Sequence, residues 1–144
     1  MTALAAIAGV GSALVAGFYA AFTFTVMPAL RRRPAQDAAA TMVSINEQAV
    51  RPPFMILFFG TALACAGALA EQAVNPGTDS PLRILGSVAY LAGWFATMAI
   101  NVPLNGRLAR SKIEWTEFDR SWSRANLLRA VLSAVGSIAL LAPL

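Results

Sequence analysis

The sequence predicts an all-α integral membrane protein, an antiparallel four-helix bundle formed by a single domain of 144 residues. Three observations predict it. Hydrophobic residues make up 58% of the chain and charged residues 12%, whereas a soluble globular domain carries about 25% charged residues. That leaves too little polar surface to face water around a particle of this size. The charges are also missing from whole stretches: residues 1–30, 52–70, 84–106 and 130–144 contain no Asp, Glu, Lys or Arg. About 20 apolar residues in a helix cross the roughly 30 Å hydrocarbon core of a bilayer.

The first span covers residues 2–30, where Pro28 and then Arg31-Arg32-Arg33-Pro34 stop it at the membrane interface. Its apolar run is longer than that of a signal peptide and lacks a basic leader, so it reads as an uncleaved helix. Residues 34–51 form the first loop. Within it Ala38, Met42, Ile45 and Ala49 recur at three- and four-residue steps, which predicts an amphipathic surface segment rather than a span. Pro52-Pro53 ends that segment and opens the second span, residues 53–72, since proline suits the first turn of a helix. Asn75-Pro76-Gly77-Thr78-Asp79 is a turn cluster. The third span covers residues 82–106, and Pro103 inside it is expected to kink the helix or mark a packing site. The fourth helix starts near Glu114 and crosses the membrane over residues 125–143. Short connections make sequential helices antiparallel neighbours.

Lys and Arg gather in the first loop (Arg31, Arg32, Arg33, Arg51) and the third (Arg107, Arg110, Lys112, Arg120, Arg124), while the second holds only Arg83. The positive-inside rule therefore places loops one and three in the cytoplasm and both termini on the outer side of the plasma membrane. The net charge of +4 belongs to these loops and forms no nucleic-acid-binding module. Cys65 is the single cysteine and lies inside a span, so it forms no intrachain disulfide. The chain has no histidine and no Cys/His cluster with metal-ligand spacing. No metal and no cofactor are predicted.

Polar side chains are costly in lipid and face the bundle interior, so they are the informative positions. On the third helix Tyr90, Trp94, Thr97, Asn101 and Asn105 form one stripe. On the fourth, Trp115, Asp119, Trp122, Asn126, Arg129 and Ser133 form another. Ser12, Tyr19 and Thr23 form a weaker stripe on the first, beside Gly9, Ala13 and Gly17. Two readings stand side by side. The stripes are interhelical glue, worth about 0.6 kcal/mol per hydrogen bond on average, or they line a pocket open to the cytoplasmic interface. Arg129 either snorkels to headgroups or binds an anion such as an enolate. Asp119 and Glu47 are the carboxylates near that level, and Asp119 serves either as a base or as a surface partner of Arg110, Lys112 or Arg124.

Further segments complete a recognisable pattern: Gly17-Phe18-Tyr19-Ala20-Ala21-Phe22 with Val26-Met27-Pro28-Ala29-Leu30; Met42 and Ile45-Asn46; Pro53-Phe54-Met55; Asn101-Val102-Pro103-Leu104-Asn105 with Leu108; and Trp115, Phe118, Trp122, Asn126 and Arg129. The chain resembles the anthrone-oxygenase-like family of small membrane proteins over nearly its whole length. The resemblance implies a four-helix membrane bundle. It also implies, from some fungal members, oxidation of anthrones to anthraquinones by molecular oxygen without metal or flavin. Carried over by position, Asn101, Asn105, Trp122, Asn126 and Arg129, with Tyr19 and Asn46, are the pocket candidates.

The expected catalytic set is thus Arg129, Asn101, Asn105 and Asp119, with Trp94, Trp122, Asn126, Tyr19 and Asn46 holding the substrate. The expected function is a cofactor-independent oxygenase of hydrophobic phenolic or anthrone-like substrates. The alternative is a non-enzymatic membrane module, either a lipid or quinone binder or an accessory subunit of a larger membrane complex. A channel built by homo-oligomerisation is a third reading, although no acidic residue inside a span suggests an ion path. The expected partners are membrane lipids and a hydrophobic small molecule.

Overall fold

The structure, a computed structural model, describes residues 2–142. The described residues form five helices and no strand: α1 Ala3–Leu30, α2 Ala35–Ala49, α3 Phe54–Val74, α4 Ser80–Ala109 and α5 Trp115–Leu141. All but α2 are long and apolar enough to cross a membrane. The expected end of the fourth span, residue 143, lies outside the described residues.

Local chemistry starts and stops these helices. Thr2 caps α1, its hydroxyl accepting the Ala5 N–H at 3.2 Å and donating to Glu71 near the end of α3 at 2.8 Å. In the turn between α3 and α4, the Ser80 hydroxyl accepts from the Gly77 N–H and donates to Gln72 Oε1. Pro81 occupies the first turn of α4, where its missing N–H costs nothing.

The four long helices close a ring in which α1 packs on α3 and α5, and α4 packs on the same two. Small residues set the spacing. A Cβ added to Gly86 on α4 would lie 2.8 Å from the carbonyl oxygen of Gly136 on α5, so these helices meet backbone to backbone. Large apolar side chains such as Phe24, Ile56, Leu63 and Ile138 point outward and are exposed by about 70% or more. In water that surface would be a liability; in lipid it is the solvated face. The second helix buries Ala38 and Met42 in a cluster with Met27, Leu104, Phe118 and Trp122.

Pro28 and Pro103 act on their helices through a change of winding. Each follows a five-residue π-helical turn, Phe22–Val26 in α1 and Thr97–Asn101 in α4. The Met27 N–H reaches back to the Phe22 carbonyl and the Val102 N–H to the Thr97 carbonyl. A proline ring clashes with the carbonyl four residues earlier. The wider turn just before each X-Pro pair accommodates that clash while keeping the helix continuous. Wide turns of this kind recur at functional sites, and both face α5.

Candidate functional site: a buried arginine held by neutral partners

Arg129 projects from the middle of α5 and is 6% exposed. Its Nε and Nη2 donate to Oδ1 of Asn126 at 3.2 and 3.1 Å, and its Nη1 donates to the Thr97 hydroxyl at 3.2 Å. The guanidinium carbon lies 4.2 Å from the centre of the Tyr19 ring and 5.1 Å from that of Trp122. Both aromatic faces attract the cation. Among the described residues no carboxylate pairs with Arg129. A guanidinium stays protonated in proteins, so this is a buried positive charge compensated only by dipoles and π-faces.

The surrounding residues are fixed in turn. Asn126 is fully buried, and its Nδ2 donates to the Tyr19 carbonyl at 2.9 Å and to the Thr23 hydroxyl at 2.8 Å. The Tyr19 carbonyl lies beside the π-helical turn of α1, so the cluster uses that irregular backbone. The Thr97 hydroxyl donates to the Gly93 carbonyl at 3.0 Å. With its one proton so used, it accepts from Arg129 and from the Tyr19 hydroxyl, 3.4 Å away. Trp122 Nε1 donates to Asn105 Oδ1 at 2.9 Å, and Asn101 Nδ2 donates to the Trp122 carbonyl at 3.4 Å. Asn101 Oδ1 is buried without a partner, a costly state that leaves an acceptor facing the interior.

The structure therefore brings Arg129, Asn126, Tyr19 and Trp122 into one cluster, with Asn101 and Asn105 attached through Trp122. It separates three other candidates. Trp94 packs against Phe58 at 5.9 Å and Phe59 at 5.8 Å, with its Nε1 unpaired. Asn46 lies on α2 with its Nδ2 buried and unpaired. Asp119 makes a two-pronged ion pair with Arg31, at 2.7 and 2.8 Å, and also accepts from Ser123. Arg31 lies just beyond the end of α1, and the hydrogen bond to Asp119 raises its pKa above the ordinary arginine value. Arg31 is absent from the partners suggested for Asp119 by the sequence, because 88 residues separate the two. Thr97 and Thr23 complete the cluster without having been singled out as site residues. The stripe spacing included both, but threonine on a helix more often bonds its own backbone.

Beside the cluster a groove of about 810 Å³ runs between α1, α2 and α3. Phe18, Phe22, Phe54 and Leu57 supply apolar wall; Ser44, Gln48 and Arg51 supply its polar part. Phe18 stacks on Phe54 at 4.1 Å, and Phe22 lies 5.2 Å from Phe18 and 5.4 Å from Trp122. One aromatic layer thus divides the groove from the arginine cluster. Among the described residues no group of three or more acidic, Cys or His side chains is placed to hold a metal ion.

The family described as anthrone oxygenase matches residues 48–139, more than half of the chain. The chain belongs to the anthrone oxygenase family. The anthrone oxygenase match takes in Pro53-Phe54-Met55, the Asn101-to-Asn105 segment, and Trp115 through Arg129, all of which carried the resemblance. The first-helix pattern with Tyr19, and Asn46 on α2, lie before the matched region. Neither a curated protein nor a solved structure matches the chain.

Proposed function

We propose that this member of the anthrone oxygenase family is a plasma-membrane enzyme that oxidises hydrophobic phenolic, anthrone-like substrates with dioxygen and without a bound cofactor. In this reading the bundle is antiparallel, both termini lie outside, loops one and three are cytoplasmic, and α2 is the amphipathic segment on the cytoplasmic interface. The observation that carries it is Arg129: a buried guanidinium with only neutral partners. An unpaired charge in a low-dielectric interior is unfavourable by several kcal/mol, and an arriving anion relieves that cost.

The chemistry follows from that charge. A carbon acid flanked by aromatic rings loses a proton to solvent and becomes an enolate. Arg129 stabilises the negative oxygen through the N–H groups that Asn126 and Thr97 leave free, and its bonds to those two side chains hold the guanidinium in place. The electron-rich carbon then reacts with dioxygen. One oxygen atom stays on that carbon as a carbonyl and the other leaves as water, which balances the conversion of a CH₂ group to C=O by one O₂. Asn101 and Asn105 position Trp122 beside Arg129. Asp119 holds the end of α1 to α5 through Arg31, and takes no proton from substrate. Because the cluster is sealed from the groove, substrate reaches it only when the Phe22 ring moves.

Oxygen uptake by the purified chain in nanodiscs, supplied with an anthrone, tests this reading. Turnover that Arg129→Lys reduces at least tenfold, with helical content retained, is the expected result. Full activity in Arg129→Lys refutes the assignment.

One observation favours a second reading, a binder of quinone-like molecules without turnover. Three of the guanidinium's donors are already engaged by Asn126 and Thr97, while the apolar groove stands open. A bound aromatic mass in native mass spectrometry, together with no oxygen consumption, selects that reading.

A further inference from the structure

We propose that the groove between α1, α2 and α3 is a loading site for a planar polycyclic aromatic molecule with an acidic edge group, and that Arg51 anchors that group. This inference rests on the oxygenase reading for its direction, because the groove would feed the arginine cluster, but it makes its own claim about binding.

Three features of the groove select this ligand. Its volume of about 810 Å³ falls within the roughly 300–1,000 Å³ of small-molecule sites. Its wall is aromatic: Phe54 stacks on Phe18 at 4.1 Å with rings 23° from parallel, and Phe22 follows at 5.2 Å. Flat rings gain from such faces in offset or edge contact, whereas a saturated acyl chain gains nothing specific from them. The charge is one-sided. Arg51 lines the groove, is exposed, and forms no ion pair among the described residues, and no acidic residue lines the groove with it. Ser44 and Gln48, also in the lining, add hydroxyl and amide donors on the α2 side. A ligand with its rings on Phe18 and Phe54 and its anionic oxygen toward Arg51 satisfies both halves of the groove. Phe22 then becomes the side chain whose rotation passes the rings toward Trp122 and Arg129, since it contacts Phe18 on one side and Trp122 on the other.

The test uses the full chain in nanodiscs and two fluorescent probes, anthracene-2-carboxylate and anthracene-2-carboxamide, with empty nanodiscs as the blank. Saturable binding of both, the carboxylate tighter, is expected. Arg51→Gln should weaken the carboxylate about tenfold and leave the carboxamide unchanged; tenfold corresponds to about 1.4 kcal/mol. Phe54→Leu should weaken both probes several-fold. No binding above the blank overturns the site, and so does an equal effect of Arg51→Gln on both probes. Displacement of either probe by palmitate at a lower concentration than by the unlabelled ring compound makes the groove an acyl-chain site, and the proposal fails. Binding is read without turnover, so a chain that binds the carboxylate through Arg51 but consumes no oxygen removes the oxygenase reading and keeps this one.

Discussion

Asn126 and Arg129 lie one turn apart on α5, and a single amide oxygen of Asn126 accepts two of the guanidinium's N–H groups. The same amide's nitrogen donates to the Tyr19 carbonyl and the Thr23 hydroxyl on α1. One neutral side chain therefore orients the cation and ties it to the neighbouring helix, while leaving the charge uncompensated. A carboxylate at that position would neutralise it.

That relationship predicts the outcome of Asn126→Asp. The new carboxylate would pair with Arg129 directly, and an arginine already paired has little left to offer an anion. Oxygen uptake should fall at least tenfold, while circular dichroism shows the helical content retained. Undiminished turnover in Asn126→Asp rules out anion stabilisation by Arg129.

Tyr19 contributes two separable parts. Its hydroxyl makes only a 3.4 Å contact with Thr97, whereas its ring lies 4.2 Å beneath the guanidinium. Tyr19→Phe should lower stability by less than about 1 kcal/mol. Tyr19→Leu, which removes the ring, should cost about 2 kcal/mol or more from the lost cation–π contact and packing. Thermal unfolding in one detergent, comparing the two variants, checks the order; equal losses would mean that the ring adds nothing.

The ion pair of Arg31 with Asp119 spans α1 and α5 at a partly exposed position, with side-chain exposures of 45% and 16%. Exposed pairs are worth about 0–1 kcal/mol. Asp119→Asn and Arg31→Gln should each shift stability only slightly and leave most of the oxygen uptake. An Asp119→Asn protein that folds normally but is inactive would instead identify Asp119 as the base.

Two glycines separate packing from helix propensity. A Cβ at Gly86 would press on the Gly136 carbonyl at 2.8 Å and on the Leu140 backbone nitrogen at 3.0 Å, whereas a Cβ at Gly17 meets nothing within 4 Å. Gly86→Ala should destabilise by about 1–3 kcal/mol by forcing α4 from α5. Gly17→Ala should be neutral or stabilise by up to about 1 kcal/mol. Reversible unfolding in mixed micelles gives both values.

The helical class and the four apolar segments were legible in the chain because lipid imposes a coarse rule: long uncharged runs must be helical. The stripe on the fourth helix was legible for the same reason, since polar groups avoid lipid, and Trp122, Asn126, Arg129 and Ser133 are all buried. On the third helix Tyr90, Thr97 and Asn101 are buried as the stripe spacing implies. Trp94, however, packs against Phe58 and Phe59, because spacing along one helix does not say which neighbouring helix each side chain meets.

The sequence by itself determined the solvent of this protein, the number of its apolar helices and its family pattern, because composition and local periodicity act over a few turns. Only the tertiary structure decided what each polar group meets. It assigned Asp119 to Arg31, placed Trp94 against Phe58 and Phe59, left Arg129 with neutral partners, and opened an aromatic groove beside Arg51. Those outcomes depend on contacts between residues up to about a hundred positions apart in the chain. Helix crossing, close glycine approach and two wide turns set them, and none of these leaves a periodic trace in one sequence.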